Sequence, residues 1–177
     1  LVGLMVASVF AGTIHVPADS PTIQSAIQSA HLFDTIIVSP GTYFEAINFG
    51  GKVIVVQSEN PTEPTVGAAT IINASGLGTV VTFSGGEDQN TILDGFTITG
   101  GTIGVGANRS IATIRHCVIR DNSSYGIFKA DGIIEDSHVL NNNGPGLYDC
   151  DGTIRRCVIG NNSGAGLQDC DGTIVDS

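Results

Sequence analysis

The chain has no tryptophan, one methionine and only 6% aromatic residues, so its core cannot rest on large packed rings. It carries seven Lys+Arg against 17 Asp+Glu, a formal net charge of −10. So few cations argue against nucleic acid or an anionic membrane as a partner. They suit cations, or a neutral or cationic polymer. No apolar run is long enough to span a bilayer; Leu1–Ala11 (LVGLMVASVFA) is too short. The four cysteines lack zinc-site spacing. His15, His31, His116 and His138 share no repeat position, and no Ser/His/Asp set can be assembled around them.

What the chain does have is a repeat of 20 residues from Cys117 onward. Cys117-Val118-Ile119-Arg120-Asp121-Asn122 returns as Ser137 to Asn142 and as Cys157 to Asn162, and Ser177 opens the next copy. Gly126, Gly146 and Gly166 keep the step, as do Asp131-Gly132, Asp151-Gly152 and Asp171-Gly172. A fixed period of this size marks a solenoid whose copies bury apolar surface only by stacking. Within a copy the apolar bursts are short, alternate with a period of two and are rich in β-branched residues, which favours strands. Asn161-Asn162-Ser163-Gly164 and Asp169-Cys170-Asp171-Gly172 separate them as turns. The expected architecture is all-β: a single-stranded parallel β-helix, three strands and three bends per coil, to which the family resemblance given below adds a right-handed winding. Equivalent residues then lie about 4.8 Å apart on successive coils.

Stacking turns sequence columns into ladders. Asn122, Asn142 and Asn162 should bond to one another and to the backbone of their bend. Arg115, Glu135 and Arg155 alternate in sign, as do His116, Asp136, Arg156 and Asp176. These read as devices that fix register, since a slipped strand would set like charges together.

Leu1–Ala11 ends Val9-Phe10-Ala11, with small residues where a signal peptidase reads. It is expected to be the remnant of a secretory signal cleaved near Ala11 or Gly12, leaving residues 12–177 as one β-helix domain. The alternative is a first strand running on into Thr13-Ile14-His15-Val16. Ser20-Pro21 has the signature of an N-cap and N1 pair, followed by Ile23, Ala26, Ile27 and Ala30 at helical spacing. This short helix is expected to cap the open end of the solenoid. Strands are expected at 34–38, 46–49, 53–57, 70–73, 80–83 and 92–99. Ser39 to Tyr43 reads as a turn, and Ser58–Thr65 and Gly85–Asn90 as loops.

Pro21-Thr22-Ile23-Gln24, Ala26-Ile27, Asp34-Thr35-Ile36, Pro40-Gly41-Thr42-Tyr43, Glu45 and Gly51-Lys52 resemble the opening of secreted right-handed β-helix proteins of the pectin lyase-like superfamily. Ile92 to Gly100 (ILDGFTITG) is similar to the coil that follows in them. The resemblance implies the fold over nearly the whole chain. It does not imply an activity: the Gly-His-Gly and Arg-Ile-Lys sets of polygalacturonases and the Asp-Pro-His-Asp motif of alginate epimerases are absent. The PGTYFE opening is similar to pectin methylesterases, yet Gln168-Asp169 runs into Cys170 rather than that family's catalytic strand.

Asp149, Asp151, Asp169 and Asp171 are the candidate metal ligands. Two DCDG stretches stack and gather four carboxylates, which would repel unless neutralised, and Ca2+ takes such oxygens. In the superfamily, lyases use Ca2+ between coils. The competing reading makes each Asp a turn residue bonding local backbone. Arg155 and Arg156 lie on another stretch of the coil and are poor candidates for a lyase base. Cys117 and Cys157 are two coils apart, too far for a disulfide; Cys150 and Cys170 are neighbours, either bridged or, as preferred, free thiols in the interior. Asn73, Asn108, Asn122 and Asn161 stand in Asn-x-Ser/Thr triplets. The resulting expectation is an exported protein, secreted or at the cell surface or periplasm, binding carbohydrate or a cell-surface polymer. The alternatives are part of a polysaccharide lyase or hydrolase with a site partly beyond Ser177, or a structural repeat stalk.

Overall fold

The computed structural model describes residues 11–177; all but the last residue of the expected signal segment lies outside them. The described chain is a parallel β-solenoid with three sheets. The first is eight-stranded: Thr13–Val16, Thr35–Val38, Val55–Ser58, Ile92–Asp94, Thr113–Arg115, Ile133–Glu135, Thr153–Arg155 and Thr173–Val175. The second is six-stranded: Gly41–Tyr43, Thr70–Asn73, Thr97–Thr99, Val118–Arg120, His138–Leu140 and Val158–Gly160. The third, also six-stranded, holds Ile47–Asn48, Thr79–Thr82, Ile103–Ser110, Ile127–Ala130, Leu147–Tyr148 and Leu167–Gln168. Register follows the repeat: Thr113, Ile133, Thr153 and Thr173 pair in file, as do Val118, His138 and Val158. Among the described residues no helix is long and apolar enough to cross a membrane.

The three bends per coil are sharp because one residue at each adopts positive φ. His116, Asp136, Arg156 and Asp176 (φ 48–53°) turn the first sheet into the second. Asp121, Asn141 and Asn161 (φ 55°) leave the second, and Lys129, Asp149 and Asp169 (φ 53–57°) leave the third. Asn and Asp tolerate this region better than other residues with a Cβ, which accounts for their density in the turns. Gly95 and Gly100 fill the first two of these slots one coil earlier. The expected strand 92–99 is therefore two strands, Ile92–Asp94 and Thr97–Thr99, broken at Gly95 (φ 78°).

Inside, Ile114, Ile134 and Ile154 form one buried column, and Ile119 and Val139 another. The asparagine ladder is formed as expected. Asn122 Nδ2 donates to Asn142 Oδ1 and Asn142 Nδ2 to Asn162 Oδ1, both at 3.0 Å. Each oxygen also accepts the backbone N–H of the coil before it, at 3.2 and 2.9 Å. Gly126 and Gly146 cross this ladder so closely that an added Cβ would sit 2.9 and 2.8 Å from an asparagine nitrogen. Alternating cysteine and serine make a further polar column. Ser137 Oγ accepts from Cys117 N at 3.1 Å and donates to Glu135 O at 2.7 Å; Ser177 Oγ serves Cys157 N likewise. The cysteines are thus hydrogen-bonding members of the wall as well as small apolar fillers. All four are free thiols.

The charged columns pair in twos rather than in one continuous run. Glu135 takes Arg155 (Nε 2.7 Å) and Arg156 (3.0 Å), and Asp136 takes both Nε and Nη2 of Arg156 at 2.7 Å. Arg115 does not pair with Glu135 among the described contacts; it turns to the buried Asp94 at 2.7 Å.

The capping helix is Ile23–Ser29, and its start differs from the expected one. Thr22, not Ser20, is the N-cap, with Ser25 completing a reciprocal capping box. Glu45 accepts the N–H groups of Ile23 and Gln24 at 3.0 and 2.9 Å. Lys52 Nζ donates to the carbonyls of Ile27, Gln28 and Ala30 at 2.7–2.8 Å. A carboxylate thus sits at the positive end of the helix and an ammonium at the negative end. Ile23, Ala26 and Ile27 face the core and close the solenoid. Two expected irregular stretches carry structure. Gly41–Tyr43 is a strand rather than a turn, and Pro64–Ala69, where the Ser58–Thr65 loop ends, is a short helix with proline in its first turn.

Candidate functional site

Neighbouring rungs of the third sheet carry Phe128 and Tyr148, directly paired, while their neighbours Ile127 and Leu147 point inward. Alternation along each strand therefore sets the two rings on the outer face. Their centroids lie 5.6 Å apart with planes 12° from parallel. Tyr125, from the bend before Phe128, lies 5.2 Å from Phe128 and 5.1 Å from Tyr148. The three rings are half-buried and form one platform. Gly106 precedes Phe128 on the row and Gln168 follows Tyr148, so the platform lies within a row running along the solenoid.

One edge of the platform is charged. Lys129 Nζ stands 5.1 Å from the Phe128 centroid and 3.7 Å from Asp149. Arg109 reaches Asp149 at 2.7 Å, Asp151 at 3.1 Å and Asp131 at 3.4 Å. It can do so because the strand Ile103–Ser110 bulges: four steps from Gly106 to Ser110 face two steps from Phe128 to Ala130. Asn108 and Arg109 (φ 46° and 61°) occupy the excess and place the guanidinium over the next two coils. The aspartates also stack through the backbone: Asp131 Oδ1 accepts from Asp151 N at 3.5 Å and Asp151 Oδ1 from Asp171 N at 3.1 Å. The Asp171 N–H and the Arg109 guanidinium together hold the Asp151 carboxyl below the usual carboxylate range. Tyr148 is held above the usual phenol range by the charge and hydrogen bond of Asp169, and remains a protonated donor.

Of the four expected Ca2+ ligands, Asp149 and Asp151 face a guanidinium; Asp169 lies against Tyr148, and Asp171 continues the backbone ladder. Among the described residues no three His, Cys, Asp or Glu side chains are grouped to hold a metal by themselves. Cys170 Sγ lies 3.4 Å from Cys150 N, and the Cys150 thiol's hydrogen bond draws the Cys170 thiol below its ordinary range. The histidines that share no column come together in one case: His116 and His138 line the same cleft, two positions apart on consecutive coils.

A family described as Right handed beta helix region matches residues 51–175, well over half of the chain. No curated protein matches the sequence.

Proposed function

We propose that this chain, which belongs to the right-handed β-helix family, is an exported protein that binds a neutral polysaccharide along the outer face of its third sheet. The observation that carries the reading is the Tyr125–Phe128–Tyr148 platform beside Arg109, Lys129, Asp149 and Asp151. The C–H face of a pyranose packs on an aromatic face, whose π-electrons favour the weakly positive hydrogens. Carboxylates and a guanidinium at the edge supply acceptors and donors for ring hydroxyls. The coil spacing of about 4.8 Å is close to the length of one sugar unit, so a chain can follow the solenoid axis. A long rigid face without an assembled acid, base and nucleophile is better suited to holding a polymer than to cutting it.

Pull-down on insoluble neutral glucans and xylans, followed by a glycan array, tests this. Tyr148→Ala and Tyr125→Ala should each weaken retention about tenfold, some 1.4 kcal/mol, with the circular dichroism spectrum unchanged. Undiminished retention in both variants, or no retention by the native chain, rejects the reading. Arg109 and Lys129 supply positive charge among the aspartates in place of a metal ion, so EDTA should leave the melting temperature unmoved. A fall on chelation that Ca2+ reverses would return Asp149, Asp151, Asp169 and Asp171 to a metal role.

A further inference from the structure

We propose that the cleft between Pro61–Ala68 and the second sheet binds a small neutral hydroxylated ring of the phenol type, whose hydroxyl donates to His116 Nε2. The cleft measures about 160 Å3. An apolar cavity of about 150 Å3 is enough to admit benzene. Pro61, Pro64, Ala68 and Val118 supply apolar wall, and His116, Asp136 and His138 supply the polar end.

The state of His116 follows from its neighbours. Asp94 is 1% exposed, and its Oδ1 lies 2.7 Å from His116 Nδ1. Its other oxygen accepts Arg115 Nε at 2.7 Å, which fixes the carboxylate in place. A carboxylate can only accept, so Nδ1 donates to it, and in the singly protonated ring Nε2 is left as a lone pair. Nε2 stands 4.0 Å from Asp136 Oδ2, beyond hydrogen-bond range. Asp136 Oδ2 already accepts Arg156 Nη2 at 2.7 Å, so the Nε2 lone pair is the acceptor left at this end of the cleft, and a ligand O–H supplies its donor. Cys117, also in the lining, offers no competing charge, because burial pushes its thiol up to about 12.

The ligand's charge follows from the count around the ring. Asp94, Glu135 and Asp136 are matched by Arg115, Arg155 and Arg156 in ion pairs of 2.6–3.0 Å. An ammonium or carboxylate head would lose its hydration without meeting a net field, so a neutral hydroxyl is preferred over either. The site lies on the second sheet and does not depend on the third-sheet platform.

The test is NMR titration of the full chain with phenol, toluene and benzylamine, following the His116 ring nitrogens. Phenol should bind about tenfold tighter than toluene or benzylammonium and move the Nε2 resonance most. Equal binding of toluene, tighter binding of benzylammonium, or no shift at His116 with phenol overturns the proposal. Asp94→Asn should release the tautomer and cost phenol about tenfold. Because that change touches a buried ion pair, Ala68→Phe at the exposed rim serves as the second variant: it fills the cleft and leaves Asp94 and His116 in place. Phenol should then fail to shift His116; native-like binding by Ala68→Phe rejects the site.

Discussion

Before Gly100, bends and ends are held by single ionised side chains, each used once; after it, one neutral side chain recurs in every coil. Glu45 and Lys52 clamp the two ends of the capping helix. Glu87, 2% exposed, gathers the N–H groups of Gly51, Ser84 and Gly85 at 2.8–2.9 Å. Asp34 accepts from Gly12 and His31 at 2.6 and 2.7 Å. The later coils use Asn122, Asn142 and Asn162 and the Cys/Ser column instead. The two solutions fail differently. A lone carboxylate or ammonium supports several backbone groups at one place and answers to pH. A ladder member is neutral, but it serves the coil on each side, so an interior rung supports more than a terminal one.

The largest effect is therefore expected at the middle of the asparagine ladder. Asn142, fully buried, donates to Asn162, Leu140 and Ile119 and accepts from both nitrogens of Asn122. Asn142→Ala strands several buried groups and should cost about 3–4 kcal/mol in urea unfolding. Asn162→Ala, nearer solvent, should cost about 1–2 kcal/mol. Equal losses would mean that the rungs act independently. Lys52→Met comes next. It frees three carbonyls at the helix end, but water reaches part of that site, so about 2 kcal/mol is expected, with the loss confined to the front coils in hydrogen exchange.

This difference between the two halves also governs what the sequence disclosed. The later coils were legible because an equal step puts equal residues in one column, so Asn122 could be set on Asn142 without seeing either. Phe128 and Tyr148 obey the same step and could have been found as an aromatic pair; reading columns only for polar and charged residues missed them. Arg109 was hidden for a physical reason. It sits in the two-residue bulge of Ile103–Ser110, outside any column, and reaches forward across two coils. His116 and His138 occupy different columns and meet only because a corner brings them to one cleft. In the front half, Glu45 and Lys52 stood out through the family resemblance; that they grip the same helix follows from the fold, since neither is near it in sequence. The helix Pro64–Ala69 had one local signal, the proline in its first turn, within a stretch otherwise polar enough to read as loop.

A smaller effect separates the halves by acid. Asp34 is held below the ordinary carboxylate range by the N–H groups of His31 and Gly12, and Asp136 by Arg156. A carboxylate whose folded pKa is depressed stabilises fully above its unfolded value of about 3.9 and loses that contribution as pH falls through the folded value. Stability should accordingly be flat from neutrality to about pH 5 and decline below about pH 4. Asp34→Asn should shallow the decline for the front coils alone, leaving the acid response of the later coils to Asp136 and Asp151. An unchanged acid profile in Asp34→Asn would locate the acid sensitivity elsewhere.

The smallest change is expected where the ladder already shows both answers. Cys117, Ser137, Cys157 and Ser177 occupy one column, and each places a small donor-acceptor near the carbonyl two residues back: Cys117 Sγ to Arg115 O at 3.2 Å, Ser137 Oγ to Glu135 O at 2.7 Å. Cys117→Ser keeps that bond, tightens it and loses only the larger sulfur's packing, so a cost below about 1 kcal/mol is expected. Cys117→Val fills the volume but removes the thiol donor that the Arg115 and Leu93 carbonyls accept, and should cost about 1–3 kcal/mol despite being the more apolar substitution. If valine proves the milder change, the column is merely hydrophobic, and the contrast between a charged front and a hydrogen-bonded ladder behind it holds for the asparagines alone.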